Sequence, residues 1–84
     1  MNKFTVYIIH SREHDLYYIG STSNIEDRLK RHNTNRSAFT KGKGPWVIVA
    51  YKEFPSKAEA YRFELKLKSF KKSEFAISYI KKMV

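Results

Sequence analysis

The chain has 84 residues, with 17 Lys and Arg against 8 Asp and Glu and a formal net charge of +9. That length admits one domain with one core, a 42% hydrophobic content is too rich for disorder, and the absence of cysteine removes disulfides and thiolate metal sites. No apolar run reaches membrane-spanning length and residues 4–9 are too short for a signal-peptide core, so a single domain over residues 1–84, soluble and cytoplasmic, is expected.

Residues 4–10 and 16–20 are rich in Ile, Val and Tyr and read as two strands. The polar residues 11–14 between them make a hairpin loop. Symmetric closure pairs His10 with Asp15 and sets Tyr7 opposite Tyr18, on one face, with Cβ atoms roughly 5 Å apart. A slip of one residue would part them. The pair is either an ordinary cross-strand aromatic contact or two phenols at a reaction site. Gly20 ends the second strand, where it either makes a turn or lets another backbone or a phosphate approach closely.

Ser23 with Glu26 three residues later has the form of a capping box and opens a helix to about residue 33. Ile25, Arg28, Leu29 and His32 recur on one face of it, while Lys30 and Arg31 point away. An arginine at the edge of a core needs an anion, supplied by a salt bridge or by a ligand. Residues 34–45 are polar, basic and hold two glycines, so they form a loop. Between residues 28 and 52 there are seven basic residues and no acidic one. Such a field attracts polyanions, and phosphate backbones gain further from counterion release. Lys30, Arg31, Arg36, Lys41 and Lys43 are the candidate nucleic-acid contacts. A solubilising surface is the alternative.

Residues 46–54 read as a third strand. Ser56 and Glu59 repeat the capping-box form after Pro55, and a helix follows to about residue 70. Its apolar stripe is Ala60, Phe63, Leu67 and Phe70, and Glu64 lies at the border of that stripe. A carboxylate there is paired with a cationic side chain or binds a metal cation. A single carboxylate with several waters suits Mg²⁺. Ser73 caps a last short helix over residues 74–82. The order β-β-α-β-α-α predicts an α+β fold, a small antiparallel sheet with helices packed on it. The histidines lack zinc spacing, there is no phosphate-binding glycine loop, and no carboxylate pair suggests two metals.

Tyr7, then Tyr17-Tyr18-Ile19-Gly20-Ser21-Thr22-Ser23, then Asp27-Arg28-Leu29 with His32 one turn on, then Glu64 on a later helix, resembles the GIY-YIG nuclease domain. The resemblance runs over about residues 4–70. Gly44-Pro45-Trp46 before the third strand is similar to short stand-alone members. The domain is also that of excinuclease C subunits and phage homing endonucleases. Two departures stand out: the first motif reads Thr5-Val6-Tyr7, and no asparagine follows Asn35.

The resemblance implies a three-stranded antiparallel sheet flanked by helices, and DNA cleavage with one divalent cation, Mg²⁺ or Mn²⁺. It implies that Glu64 holds the metal and that Arg28 neutralises phosphoryl charge. Tyr7 would take the proton of the attacking water with His32 as relay, and Tyr18 would orient water or phosphate, with Gly20 in support. A module of the same fold that holds DNA or RNA without cutting it is the alternative.

Overall fold

The computed structural model describes residues 3–34 and 40–82. They form three strands, β1 (Phe4–Ser11), β2 (Leu16–Thr22) and β3 (Trp46–Phe54), and three helices, α1 (Ile25–Asn33), α2 (Lys57–Lys68) and α3 (Ser73–Lys82). The expected β-β-α-β-α-α order is observed. The sheet is antiparallel with β1 in the centre, in the order β2-β1-β3.

Central position explains the composition of β1. Thr5 through Ile9 are all buried, so both faces of the strand are covered. Val6 and Ile8 point to one face, where Ala60, Phe63 and Leu67 of α2 and Ala76 and Ile80 of α3 pack on them. Tyr7 and Ile9 point to the other, with Trp46 and the half-buried Tyr18, Ile25, Leu29 and Ile48. The stripe expected on α2 is thus its packing face. Leu67 is fully buried in it, and truncation of such a side chain to alanine costs about 2–5 kcal/mol.

The hairpin differs from the expected register. Ser11 pairs with Leu16 and His10 with Tyr17, so the loop is residues 12–15 rather than 11–14. Asp15 closes it with φ at 49°, a left-handed conformation that aspartate tolerates better than most residues. Its carboxylate reaches back to His10 Nε2 at 3.1 Å. Tyr7 therefore faces Gly20, and Tyr18 faces Ile9. The offset from the expected pairing is two residues, an even number, so both tyrosines keep one face of the sheet.

Two helix ends also move. Thr22 Oγ1 accepts the Asn24 N–H at 3.1 Å, which shifts the start of α1 one residue on. Asn24, not Ser23, is the N-cap, and its Oδ1 accepts the Asp27 N–H at 3.0 Å. α2 keeps its predicted cap, with Ser56 Oγ accepting from Glu59 N–H at 3.2 Å. It stops at Lys68, not near Phe70. The Ser69 hydroxyl donates to Lys66 O at 2.6 Å and the chain turns, bringing Phe70 against the Tyr79 ring.

Asn33, the last residue of α1, locks that helix to the sheet. Its side-chain oxygen accepts the Trp46 N–H at 2.6 Å and its amide nitrogen donates to Trp46 O at 3.1 Å. The amide thus mimics a strand partner at the start of β3. Gly44 makes room for it: a Cβ there would lie 3.4 Å from Asn33 Oδ1 and 3.2 Å from Trp46 Cδ1.

Candidate functional site

Tyr7 is the centre of a polar cluster on the α1 side of the sheet. It is fully buried, yet its hydroxyl reaches His32 Nε2 at 3.0 Å. The Tyr7 and Tyr18 ring centroids are 6.4 Å apart, and those of Tyr18 and His32 are 5.0 Å apart. Diagonal rather than direct pairing on the hairpin leaves the two phenols this close, because Gly20 stands opposite Tyr7 with no side chain between them. A Cβ built on Gly20 would come within 2.6 Å of the Tyr7 oxygen and 3.0 Å of Tyr18 Cε2. The close approach that glycine permits here is that of the Tyr7 ring, not of a second backbone or a phosphate.

Burial pushes the Tyr7 phenol up to about 12, with Tyr18 and the charge of Glu64 adding to the rise. The charge and donors of Arg28 oppose it. His32 lies below its ordinary range, first because it is buried and second because of the Arg28 charge. A neutral imidazole has one N–H and one lone pair. Its second nitrogen, Nδ1, meets Thr40 Oγ1 at 2.7 Å, and Thr40 is itself buried. The ring is held from both sides by hydroxyls.

Glu64 approaches from α2. Its side chain is 13% exposed and its two oxygens are separately engaged. One accepts from Ser21 Oγ at 2.7 Å, and the other lies 2.7 Å from Lys68 Nζ. Ser21 alternates with Gly20 on the edge strand β2 and pairs with Val6, so the carboxylate meets β2 on the α2 face of the sheet, opposite the face that carries the tyrosine pair. A cleft of about 200 Å³ next to Ser21 is bounded by Arg28 and Lys57. Among the described residues, no three His, Cys, Asp or Glu side chains gather as a ready-made metal cage.

Of the expected site residues, Tyr7, Tyr18, Arg28 and His32 form one cluster, whereas Glu64 stands apart on the α2 face with Ser21 and Lys68 and reaches the Tyr7 phenol only through its charge. Ser21 was read only as part of the family motif, with no role of its own, and Thr40 and Lys57 were not read from the sequence. Nothing local distinguishes them from other small polar residues or lysines, and only tertiary folding brings them here. Lys30, Arg31, Lys41 and Lys43 are exposed. Arg31 is paired with Asp27 at 3.3 Å. Arg36 lies outside the described residues. No helix among the described residues is long and apolar enough to cross a membrane.

Comparison with known proteins agrees with this architecture. The model of the GIY-YIG catalytic domain matches residues 3–79. A UPF0213 protein of Oceanobacillus iheyensis is 39% identical over 70 residues, which are 82% of this chain and 80% of that protein. The solution NMR structure of a UPF0213 protein from Bacillus halodurans superposes with a TM-score of 0.53 at 33% identity, covering 86% of this chain and 77% of that one. The structure-specific endonuclease subunit SLX1 of Phaeosphaeria nodorum is 37% identical over 67 residues, 73% of this chain but 18% of the fungal protein. By the family model and by this identity to its relatives, the chain belongs to the GIY-YIG nuclease-domain family.

Proposed function

We propose that the chain is a DNA endonuclease that uses Mg²⁺ or Mn²⁺ at a single site, with Tyr7, Tyr18, Arg28, His32 and Glu64 as its working residues. The observation that carries this reading is the 3.0 Å contact between Tyr7 and His32. A phenol pushed up to about 12 is a poor base by itself at neutral pH. A neutral imidazole touching it removes that difficulty. Water attacks phosphorus and gives its proton to the Tyr7 oxygen, while the phenol's own proton passes to His32 Nε2. The tautomer this direction needs is the one protonated at Nδ1, for which Thr40 Oγ1 at 2.7 Å is an acceptor, leaving Nε2 with the lone pair. The bond to the 3′ oxygen breaks, and that oxygen takes a proton from solvent.

Arg28 suits the growing charge on the phosphoryl oxygens, because its planar fork can bind two of them. Lys57 on the far side of the same cleft adds a second positive group. Tyr18 orients the water or the phosphate. Glu64 fits a hard cation: it is an oxygen donor, largely buried, and it already holds a cationic group, Lys68 Nζ. Lys68 is half-exposed on a flexible stem and is the group a metal would displace. A divalent cation at Glu64 would supply charge stabilisation for the leaving oxygen. The fungal relative's name, a structure-specific endonuclease subunit, agrees with this chemistry.

The Glu64–Lys68 ion pair also favours a second reading, a module that binds DNA or RNA without cutting it, since it leaves the carboxylate neutralised. Supercoiled plasmid separates the two. Nicking that needs Mg²⁺ or Mn²⁺ and stops with a chelator supports the nuclease. Binding without nicking under either metal overturns it.

A further inference from the structure

A second cleft, of about 380 Å³, opens between the outer edge of β2 and the turn from α2 into α3. Clefts that take small ligands run from roughly 300 to 1,000 Å³, so this one has room for a single nucleotide. Its walls combine two chemistries. Tyr17 and Phe70 supply aromatic surface, Lys68, Lys71 and Lys72 supply positive charge, and Tyr18 lines the cleft while its ring packs on Tyr7 and His32. None of the lining residues is acidic. Lys71 and Lys72 lie in the short turn and are exposed.

Tyr17 is built as a platform. His10 stacks on one face of its ring, with centroids 4.3 Å apart and planes 24° from parallel. Asp15 holds His10 in place at 3.1 Å. Yet Tyr17 remains 40% exposed, a large aromatic left in contact with water at the mouth of a basic cleft. Stacking surfaces flanked by phosphate-binding lysines are what unpaired bases require, because every base has a π-face and every linkage a charge. A paired base offers no such face. Ser73, the first residue of the ten-residue helix α3, also lines the cleft, so the positive end of that helix adds to the lysines.

We propose that this cleft holds an unpaired nucleotide of a DNA strand, with the base on Tyr17 and the backbone along Lys68, Lys71 and Lys72. The inference rests on the nuclease reading and deepens it by naming the substrate class: DNA with a single-stranded segment next to the cut. Position supports this. Tyr18 and Lys68 belong to the cleft and also to the site, where Tyr18 neighbours His32 and Lys68 binds Glu64. A strand leaving the scissile phosphate would reach the cleft by crossing the outer edge of β2, where Tyr17 and Tyr18 are neighbours.

The test is binding by the full chain, in chelator so that nothing is cut. The probes are fluorescein-labelled oligothymidylate of twelve nucleotides and a blunt duplex of similar length. The double variant Lys71→Glu, Lys72→Glu should weaken oligothymidylate binding at least ~10-fold and duplex binding far less. Tyr17→Ala should cost roughly 5-fold or more for oligothymidylate, the low end of one base–aromatic stack, and Tyr17→Phe should restore it. Circular dichroism confirms that each variant is folded, and the exposed lysine variants keep the test open if Tyr17→Ala does not fold. Equal losses on both probes would show a general basic field and overturn the cleft. So would unchanged oligothymidylate affinity in the lysine variant. A chain that shows these losses but nicks no DNA upholds the cleft and overturns the nuclease. A chain that nicks plasmid but ignores these substitutions does the reverse.

Discussion

The phenol oxygen of Tyr7 lies 3.0 Å from Nε2 of His32, and both groups are biased towards their neutral forms. Burial disfavours phenolate on one side of the contact and imidazolium on the other. The pair is thus a neutral proton path buried under an otherwise cationic surface.

Stability should record this at both ends of the pH scale. His32 has a folded-state value depressed below its unfolded 6.5. The unfolded chain therefore binds the proton first as pH falls. The contribution is fully present above 6.5 and is lost as pH drops through the folded value. Tyr7 is raised, from 10.0 to about 12, so its contribution is present below 10.0 and is lost as pH rises towards 12. Urea unfolding across pH should show both limbs. His32→Gln should flatten the acid limb and Tyr7→Phe the alkaline one. An unchanged acid limb in the His32→Gln protein would show that other groups carry it.

Gly20→Ala should damage the site more than the fold. The added Cβ would meet the Tyr7 oxygen at 2.6 Å and Cζ at 2.9 Å. The ring cannot swing away freely, because it is fully buried. A loss of about 1–3 kcal/mol is expected, as for other overpacked sites. Part of it should return in the double variant with Tyr7→Phe, which removes the nearest atom. Additive losses in a double-mutant cycle would mean that the alanine methyl is accommodated elsewhere.

Much of this was legible in the chain. Periodicity and caps read the order of elements, since Val6, Ile8, Ala60, Phe63 and Leu67 sit where strand and helix periods place them. The motif residues were legible because their spacing is specific. The hairpin register was not, because the Asp15 φ of 49° is a choice of the loop that no hydrophobic pattern encodes. The even offset preserved the shared face and so the inference built on it. Thr40 was invisible for another reason. A lone threonine in a polar loop has no periodicity, and its value lies in the 2.7 Å contact it makes after folding. The second cleft was likewise hidden, since Tyr17 and Lys71 are far apart in sequence and meet only across the fold.

Glu64→Gln keeps the shape of the side chain and removes its charge. Ser21 can still donate to the amide oxygen, so the fold should survive. Lys68 loses its 2.7 Å partner and adds a free positive charge beside the cleft. Metal-dependent nicking should vanish while DNA affinity in chelator holds or rises. Mn²⁺ binding, followed by the paramagnetic relaxation of water protons, should fall with it. Nicking at the parental rate would remove Glu64 from the metal site.

Arg28→Lys separates an aligned donor from a merely positive one. The side chain is half-buried at the end of the cleft that Ser21 and Lys57 also bound. Both residues are charged at neutral pH, so ground-state attraction to phosphate should persist within a few-fold. What changes is geometry: Arg presents a planar fork to two oxygens, and Lys a point charge on a flexible stem. Losing one preorganised donor costs about 3 kcal/mol, on the order of 100-fold in rate. Single-turnover nicking should fall at least ~10-fold, with the circular-dichroism spectrum unchanged. Arg62→Lys, on the exposed face of α2, is the control and should leave the rate alone. The Tyr7 phenol offers a second readout. Its rise is opposed by both the charge and the donors of Arg28, and a lysine, ordinarily deprotonated at the high pH where Tyr7 titrates, replaces neither in full. Phenolate absorbance in the folded Arg28→Lys protein should therefore appear at higher pH than in the parent. A slower enzyme with an unmoved Tyr7 titration would place Arg28 on the phosphate alone. Parental nicking with an unmoved titration would remove Arg28 from the reaction and leave the binding module as the better reading.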